Sequence, residues 1–296
     1  MSNIFGRIES SKTVYAQPTY ATFAKSILHL PIFQSTKNID KDKIMSIEID
    51  NLYGYKNVKM EFRPLSVDFD FQVFFYILRL KLKSDRLTFT INMQKFMKDH
   101  GVFPSNKKVY IKKIRDSLER MMKFYLEFTY QNKTFKCHIL NNVVEDNEKP
   151  EDTVITFNKE FENFYAQDDM LVNINIKEYK EIQGDYAKIL YMFYVTNKYS
   201  GRVGFTIENI LKRLNAESFN RKDVLKSIKS AHDELINKKF LKSAEPVKSG
   251  KSIAGYTIVF KSKKDDILPD VPLNNGEVPP TNWMGGWDVE PEFYEQ

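Results

Sequence analysis

Residues 220–240 read NRKDVLKSIKSAHDELINKKF, and Lys222, Lys226 and Lys229 recur there at i, i+4 and i+7. Three ammonium groups on one helical stripe suit one kind of chemistry, the binding of an array of anions, phosphates foremost. Like charges at this spacing repel and weaken an isolated helix, so the row works against the helix that carries it. On the opposite side Val224, Ile228, Ala231 and Leu235 fall at i, i+4, i+7 and i+11, an apolar stripe that calls for a packed partner. Asn220 is a capping residue. The acids Asp233 and Glu234 lie toward the C-terminal half, and the half where a recognition helix meets base edges is basic. On a lone helix such a row is ordinarily a solvated face.

The surroundings favour the binding reading. Thr206 caps a preceding helix, IENILKRLN, which ends at Asn215, and AESF makes a short turn into the lysine helix. A hairpin follows, FLKSAEPV and SIAGYTIVFK, with Lys248 and Lys251 at its KSGK tip. Residues 179–264 hold 18 basic and 8 acidic side chains. A helix-turn-helix with a basic second helix and a basic wing has the footprint of a major-groove reader with backbone clamps. Arg221, just inside the cap, points toward neither face cleanly and can reach a base or a phosphate. Ser218 and Asn220 can contact phosphate through side chains or backbone N–H groups. Lysine serves phosphate contact as well as base readout, whereas bidentate reading of guanine more often uses arginine, so the bases read stay open.

An earlier helix repeats the theme with mixed charge. After Ser105, as its cap, Ile111, Ile114 and Leu118 form the buried stripe; Lys112, Lys113 and Arg120 face outward with Asp116 and Glu119 among them. Lys107 and Lys108 crowd the N-terminal end. Backbone contact and a solvated or partner-binding face are equal readings here.

Positioning these residues requires two units. Residues 1–44 form a poorly readable segment, with ATFAKSILHLPIF a short helix stopped by Pro31. MSIEIDNLYGYKNVKMEFRP reads as two strands, and a dense helix capped by Ser66 follows. Thr90 caps INMQKFMKDH, the Ser105 helix comes next, and a hairpin KFYLEFTY/TFKCHILNNV completes three helices and a ribbon. The same order recurs after Asp185. The reading is therefore an α+β fold of two tandem winged-helix domains, helix-turn-helix plus β-hairpin wing, at 45–178 and 179–264, with an acidic, flexible tail at 265–296.

Composition agrees. The net charge of +6 hides a +14 body and a tail with eight acids and no Lys or Arg, a balance that points to a polyanion partner. Trp283 and Trp287 in that tail either dock a partner or fold back. Cys137, the single cysteine, sits in a strand-like run and points to a reducing interior. No apolar run approaches a membrane span, and the N-terminus lacks a signal pattern, so a soluble cytoplasmic protein without membrane association is expected.

Enzyme chemistry finds no footing. KSGKS lacks the glycine five residues before its GK, where Glu245 stands, and a strand follows instead of a helix. His29, His100, His138 and His232 are scattered without metal-ligand spacing, and His232 falls on the buried side of its helix. The acid pairs Asp68/Asp70 and Asp168/Asp169 suit a helix start and a strand start. No enzyme activity, cofactor or metal is expected.

Over roughly residues 45–264 the chain resembles plasmid replication initiators with two winged-helix domains that bind origin repeats called iterons. The resemblance is carried by IEIDNLYGYKNVKMEF leading into LSVDFDFQVFFYIL, then GDYAKILYMFYV, FTIENILKRLN, NRKDVLKSIKSAHDELINKKFL and GYTIVFK. It implies a C-terminal domain that reads double-stranded DNA through residues 220–239 and the wing 248–251. It also implies an N-terminal domain that contacts backbone or forms a homodimer, autorepression, and host initiator and helicase-loading partners. Two rival readings stand beside it: a winged-helix transcription regulator with no replication role, and an adaptor whose basic face binds an acidic protein.

Overall fold

The computed structural model describes residues 20–35, 43–52, 54–84, 86–146, 148–166 and 171–261, and the chain divides into two units between Lys177 and Glu178. The acidic tail with Trp283 and Trp287, residues 1–19, and the pair Asp168/Asp169 lie outside the described residues.

The first unit begins β1 (Tyr20–Ala24), α1 (Lys25–His29), β2 (Phe33–Gln34), β3 (Met45–Leu52), β4 (Tyr55–Phe62), β5 (Leu65–Ser66) and α2 (Phe69–Ser84). It continues β6 (Thr88–Asn92), α3 (Met93–Asp99), α4 (Lys107–Met122), β7 (Tyr125–Tyr130), β8 (Lys133–His138), β9 (Leu140–Glu145), β10 (Asp152–Phe157), α5 (Lys159–Ala166) and β11 (Leu171–Asn175). Helix α6 (Ile176–Glu181) spans the division. The segment expected as a short helix before Pro31 is half strand: β1 pairs antiparallel with β11, Tyr20 opposite Asn175 and Ala24 opposite Leu171. Its Phe23 stacks on Phe71 of α2 at 5.3 Å, and Phe33 meets the same ring edge-on at 5.1 Å. These rings, with Phe74, Ile77 and Leu78, centre a core that this N-terminal stretch helps to fill.

Ser66 caps α2 as expected, its hydroxyl accepting from the N–H of Phe69 at 3.2 Å, while Asp70 accepts from the N–H of Ser66 at 2.7 Å. This reciprocal arrangement satisfies donors that the first turn would otherwise leave open. The next two caps differ from expectation. Thr90 lies inside strand β6, since Thr88–Phe89–Thr90–Ile91 alternates outward and inward and pairs with β10. Asn92 caps α3 instead, accepting from Lys95 N–H at 2.8 Å. Ser105 sits in a 3-10 turn, Pro104–Asn106, and α4 starts at Lys107 without a side-chain cap.

The hairpin β7–β8, expected as the ribbon of this unit, reverses at Gln131 and Asn132, both at positive φ. It joins a four-stranded antiparallel sheet in the order β3-β4-β7-β8. The ribbon that belongs with α2, α3 and α4 is β9–β10, in a three-stranded sheet ordered β6-β10-β9.

The second unit contains α7 (Asp185–Val195), β12 (Arg202–Thr206), α8 (Ile207–Leu214), α9 (Arg221–Asn237), β13 (Leu241–Ser249) and β14 (Ser252–Phe260). Its sheet runs β12-β14-β13. Helix, strand, helix, helix and two-stranded ribbon, with the first strand beside the last, occurs in both units; in the first it runs from α2 to β10, is interrupted by β7–β8, and is accompanied by β1–β5, α1, α5 and β11. The core of the second unit is Ile189, Tyr194, Phe205, Ile210, Ile228, Leu235 and Ile258, all nearly or fully buried.

Candidate nucleic-acid interface

Helix α8 ends in a closed turn. Asn215 adopts the left-handed conformation at φ 50°, its N–H donates to Lys212 O at 3.0 Å, and Ala216 N–H reaches back to Leu211 O at 3.0 Å. That double bond pattern is a Schellman motif, which seals the last carbonyls of α8 and reverses the chain. Asn220 then opens α9, its side chain accepting from Lys222 N–H at 3.0 Å. Thr206 caps α8 in the same manner, accepting from Asn209 N–H at 3.2 Å. Two caps and one stop therefore fix where α9 begins.

On α9 the apolar stripe is buried as its spacing requires: Val224, Ile228, Ala231 and Leu235 are at most 5% exposed. Lys222, Lys226 and Lys229 are exposed on the other side, as are Ser218, Asn220 and Arg221 at its entrance. Among the described residues no carboxylate forms an ion pair with any of the three lysines or with Arg221. Lys248, near the end of β13, and Lys251, in the turn beyond Gly250, are also exposed and carry no ion pair among those residues. The sequence reading passed over Asp223, which stands exposed in the first turn of α9. An acid at this end favours the helix through its dipole. Asp233 continues the lysine stripe one turn past Lys229.

Two cations counted in the basic balance of this unit are absent from its surface. Arg213 is fully buried, and burial pulls its guanidinium down to about 9. Lys188 is buried too, its Nζ 5.8 Å from the Tyr179 ring centre. Composition could not reveal this, because both become enclosed only when the chain folds.

The first unit differs in its electrostatics. Lys108 and Lys112 are exposed and Lys107 is half-buried at the start of α4. Lys113 lies over the rings of Tyr110 and Phe69, 5.2 and 5.9 Å from their centres. Arg120, expected to face outward, is instead bound to buried Asp70 of α2 at 2.6 Å. Arg115 pairs with Glu145 at 3.3 Å and donates to Pro150 O at 3.2 Å. The β9–β10 ribbon tip therefore carries Glu145, Asp146, Glu148 and Glu151 where the second unit has Lys248 and Lys251. Lys113, Arg115 and Arg120 of α4 serve contacts within the unit, and Lys108 and Lys112 face solvent beside an acidic ribbon.

Of the histidines, His232 lies in the core, with Nε2 2.8 Å from Tyr194 Oη and the Tyr256 ring edge-on at 4.6 Å. Burial lowers its pKa to about 4. His100 and His138 bond to the carbonyls of Phe96 and Phe124. Among the described residues no three His, Cys, Asp or Glu side chains converge on a metal-sized space, and no helix is long and apolar enough to cross a membrane.

No protein-family model and no curated protein sequence matches the chain. A solved structure does: the crystal structure of domains 2 and 3 of RctB, with a TM-score of 0.53 and 13% sequence identity. The match covers 80% of this chain and 96% of that one. At this identity the likeness is one of fold, and it extends across both units.

Proposed function

We propose that the chain is a sequence-specific double-stranded DNA-binding protein that initiates replication. In this reading both units are winged-helix domains, α9 enters the major groove, and Lys248 and Lys251 clamp the backbone from the wing. The observation that carries it is the row Lys222, Lys226 and Lys229: exposed, without ion pairs among the described residues, and set on a helix whose start is fixed by Asn220. Exposed ammonium groups that repel one another gain most from a phosphate lattice, where each neutralised phosphate also releases counterions. The likeness of fold to domains 2 and 3 of RctB, a replication initiator, supports the choice of initiation over other uses of a DNA-binding fold.

The finer reading places the target in origin repeats of the iteron type, with repression of its own gene as a second use. Lys107, Lys108, Lys112 and Lys113 of the first unit would add backbone contact, and a homodimer through that unit and host initiator and helicase-loading proteins would be partners. No catalytic role is assigned to any residue. Footprinting on the DNA flanking the gene tests this reading. Protection of tandem repeats of roughly 20 base pairs, about two helical turns, beside an AT-rich stretch is expected. Protection of a single promoter palindrome without any effect on copying would identify a transcription regulator. Absence of binding to any duplex would leave the adaptor reading.

A further inference from the structure

Phe219 stands in the turn between α8 and α9, immediately before the cap Asn220, and is 42% exposed. Its exposed neighbours are Glu217 and Ser218 before it and Asn220, Arg221, Lys222 and Asp223 after it, so an aromatic ring sits at the polar entrance of the helix assigned to the groove, directly before Arg221 and Lys222. Exposed apolar side chains are common singly and prove little alone. Here the feature recurs. In the first unit Phe103, 74% exposed, occupies the turn between α3 and α4 and is followed by Lys107 and Lys108. Both units thus place an exposed phenyl ring where the second helix gives way to the third and basic residues follow.

A phosphate oxygen offers such a ring nothing, and neither do the donors and acceptors of guanine, cytosine or adenine. The major-groove edge of DNA presents one apolar group, the C5-methyl of thymine. We propose that Phe219 reads a thymine methyl, which would make it a specificity-determining residue flanked by phosphate-binding cations. This rests on the assignment of α9 to the major groove. The competing role for Phe219 is structural. It holds the position before the cap, and Val224 the fourth helical position, the two places joined in a hydrophobic staple. A staple would be indifferent to the chemistry of the DNA.

The experiment uses the full chain and a duplex that the wild type selects from a randomised pool. Each thymine of that duplex is replaced in turn by deoxyuridine, which removes only the methyl group. Binding is followed by fluorescence anisotropy for the wild type and Phe219→Ala, with circular dichroism to confirm folding. One or two positions should weaken wild-type binding about fourfold, the factor expected for one buried methyl-sized group. Phe219→Ala should bind the parent duplex that much more weakly and lose its sensitivity at the same positions. In parallel, 5-iododeoxyuridine at those positions should photocrosslink wild-type protein at Phe219, a readout that stands even if the alanine variant does not fold. A flat deoxyuridine profile, a profile that Phe219→Ala leaves unchanged, or crosslinks that avoid Phe219 would overturn the inference while leaving DNA binding intact. Failure to select any duplex would overturn both.

Discussion

Glu234 of α9 holds the entry of α7: its carboxylate accepts the backbone N–H of Gln183 at 2.5 Å and that of Gly184 at 3.1 Å. Gly184 is the cap position of α7 and has no side chain to satisfy those donors itself. Glu234, one of the two acids in the C-terminal half of the helix, is therefore engaged inside the unit. A Cβ on Gly184 would lie 2.7 Å from Glu234 Oε2, so the carboxylate would have to withdraw.

Glu234→Ala should cost about 1–3 kcal/mol, the range for leaving such donors unmet. Gly184→Ala should cost part of the same energy by displacing the same carboxylate. In urea unfolding the double variant should therefore lose less than the sum of the two singles. Strict additivity would show that the two residues act independently.

His232 supplies a pH dependence. Its folded pKa of about 4 lies below the ordinary 6.5, because burial disfavours the charged ring. The group thus contributes its full stability above pH 6.5, and that contribution falls away as pH drops toward 4. A shift of this size corresponds to about 3 kcal/mol at the acid end. His232→Gln or His232→Phe should flatten the fall in stability between pH 7 and 4. An unchanged pH profile in both variants would place the titrating group elsewhere.

Asp70 and Arg120 join α2 to α4 through two contacts, 2.6 and 3.3 Å, and the Asp70 side chain is 1% exposed. Arg120→Ala should be strongly destabilising, about 3–5 kcal/mol, because it strands a buried carboxylate. Arg120→Lys keeps the charge but loses the fork and should fall between. Chemical denaturation of the first unit's transition reports all three.

Cys137 should be chemically quiet. Burial pushes its thiol up to about 12, so little thiolate exists at neutral pH. Labelling by a disulfide reagent should be slow in native protein and rapid in urea. Rapid native labelling would mean that β8 opens readily.

The second unit was the more legible in sequence, for local reasons. Thr206, Asn215 and Asn220 each act within four residues of their own position, so cap, stop and cap could be read in order. The 3.6-residue spacing of Val224, Ile228, Ala231 and Leu235 then set the buried face. The first unit misled where pairing is distant. Thr90 looks like a cap until β10, more than 60 residues on, claims it for a strand. Likewise, β7–β8 is a hairpin in either reading, and only its pairing with β4 removes it from the ribbon position. Arg120 reads as an outward charge because its partner Asp70 lies 50 residues away on another helix, and Arg213 enters the basic balance of its unit because its burial is set by the fold. Phe219 was overlooked because a single aromatic in a turn has no periodicity to betray it; its signal is the match with Phe103, visible once both turns are placed.

The central claim is that Lys222, Lys226 and Lys229 neutralise phosphates. It is tested most directly by the slope of log affinity against log salt concentration for wild type and the triple alanine variant on a selected duplex. Each phosphate contact contributes about 0.9 to that slope, so the variant's should be shallower by about 2.7, with circular dichroism unchanged. A variant that is folded and keeps the wild-type slope and affinity would contradict the account.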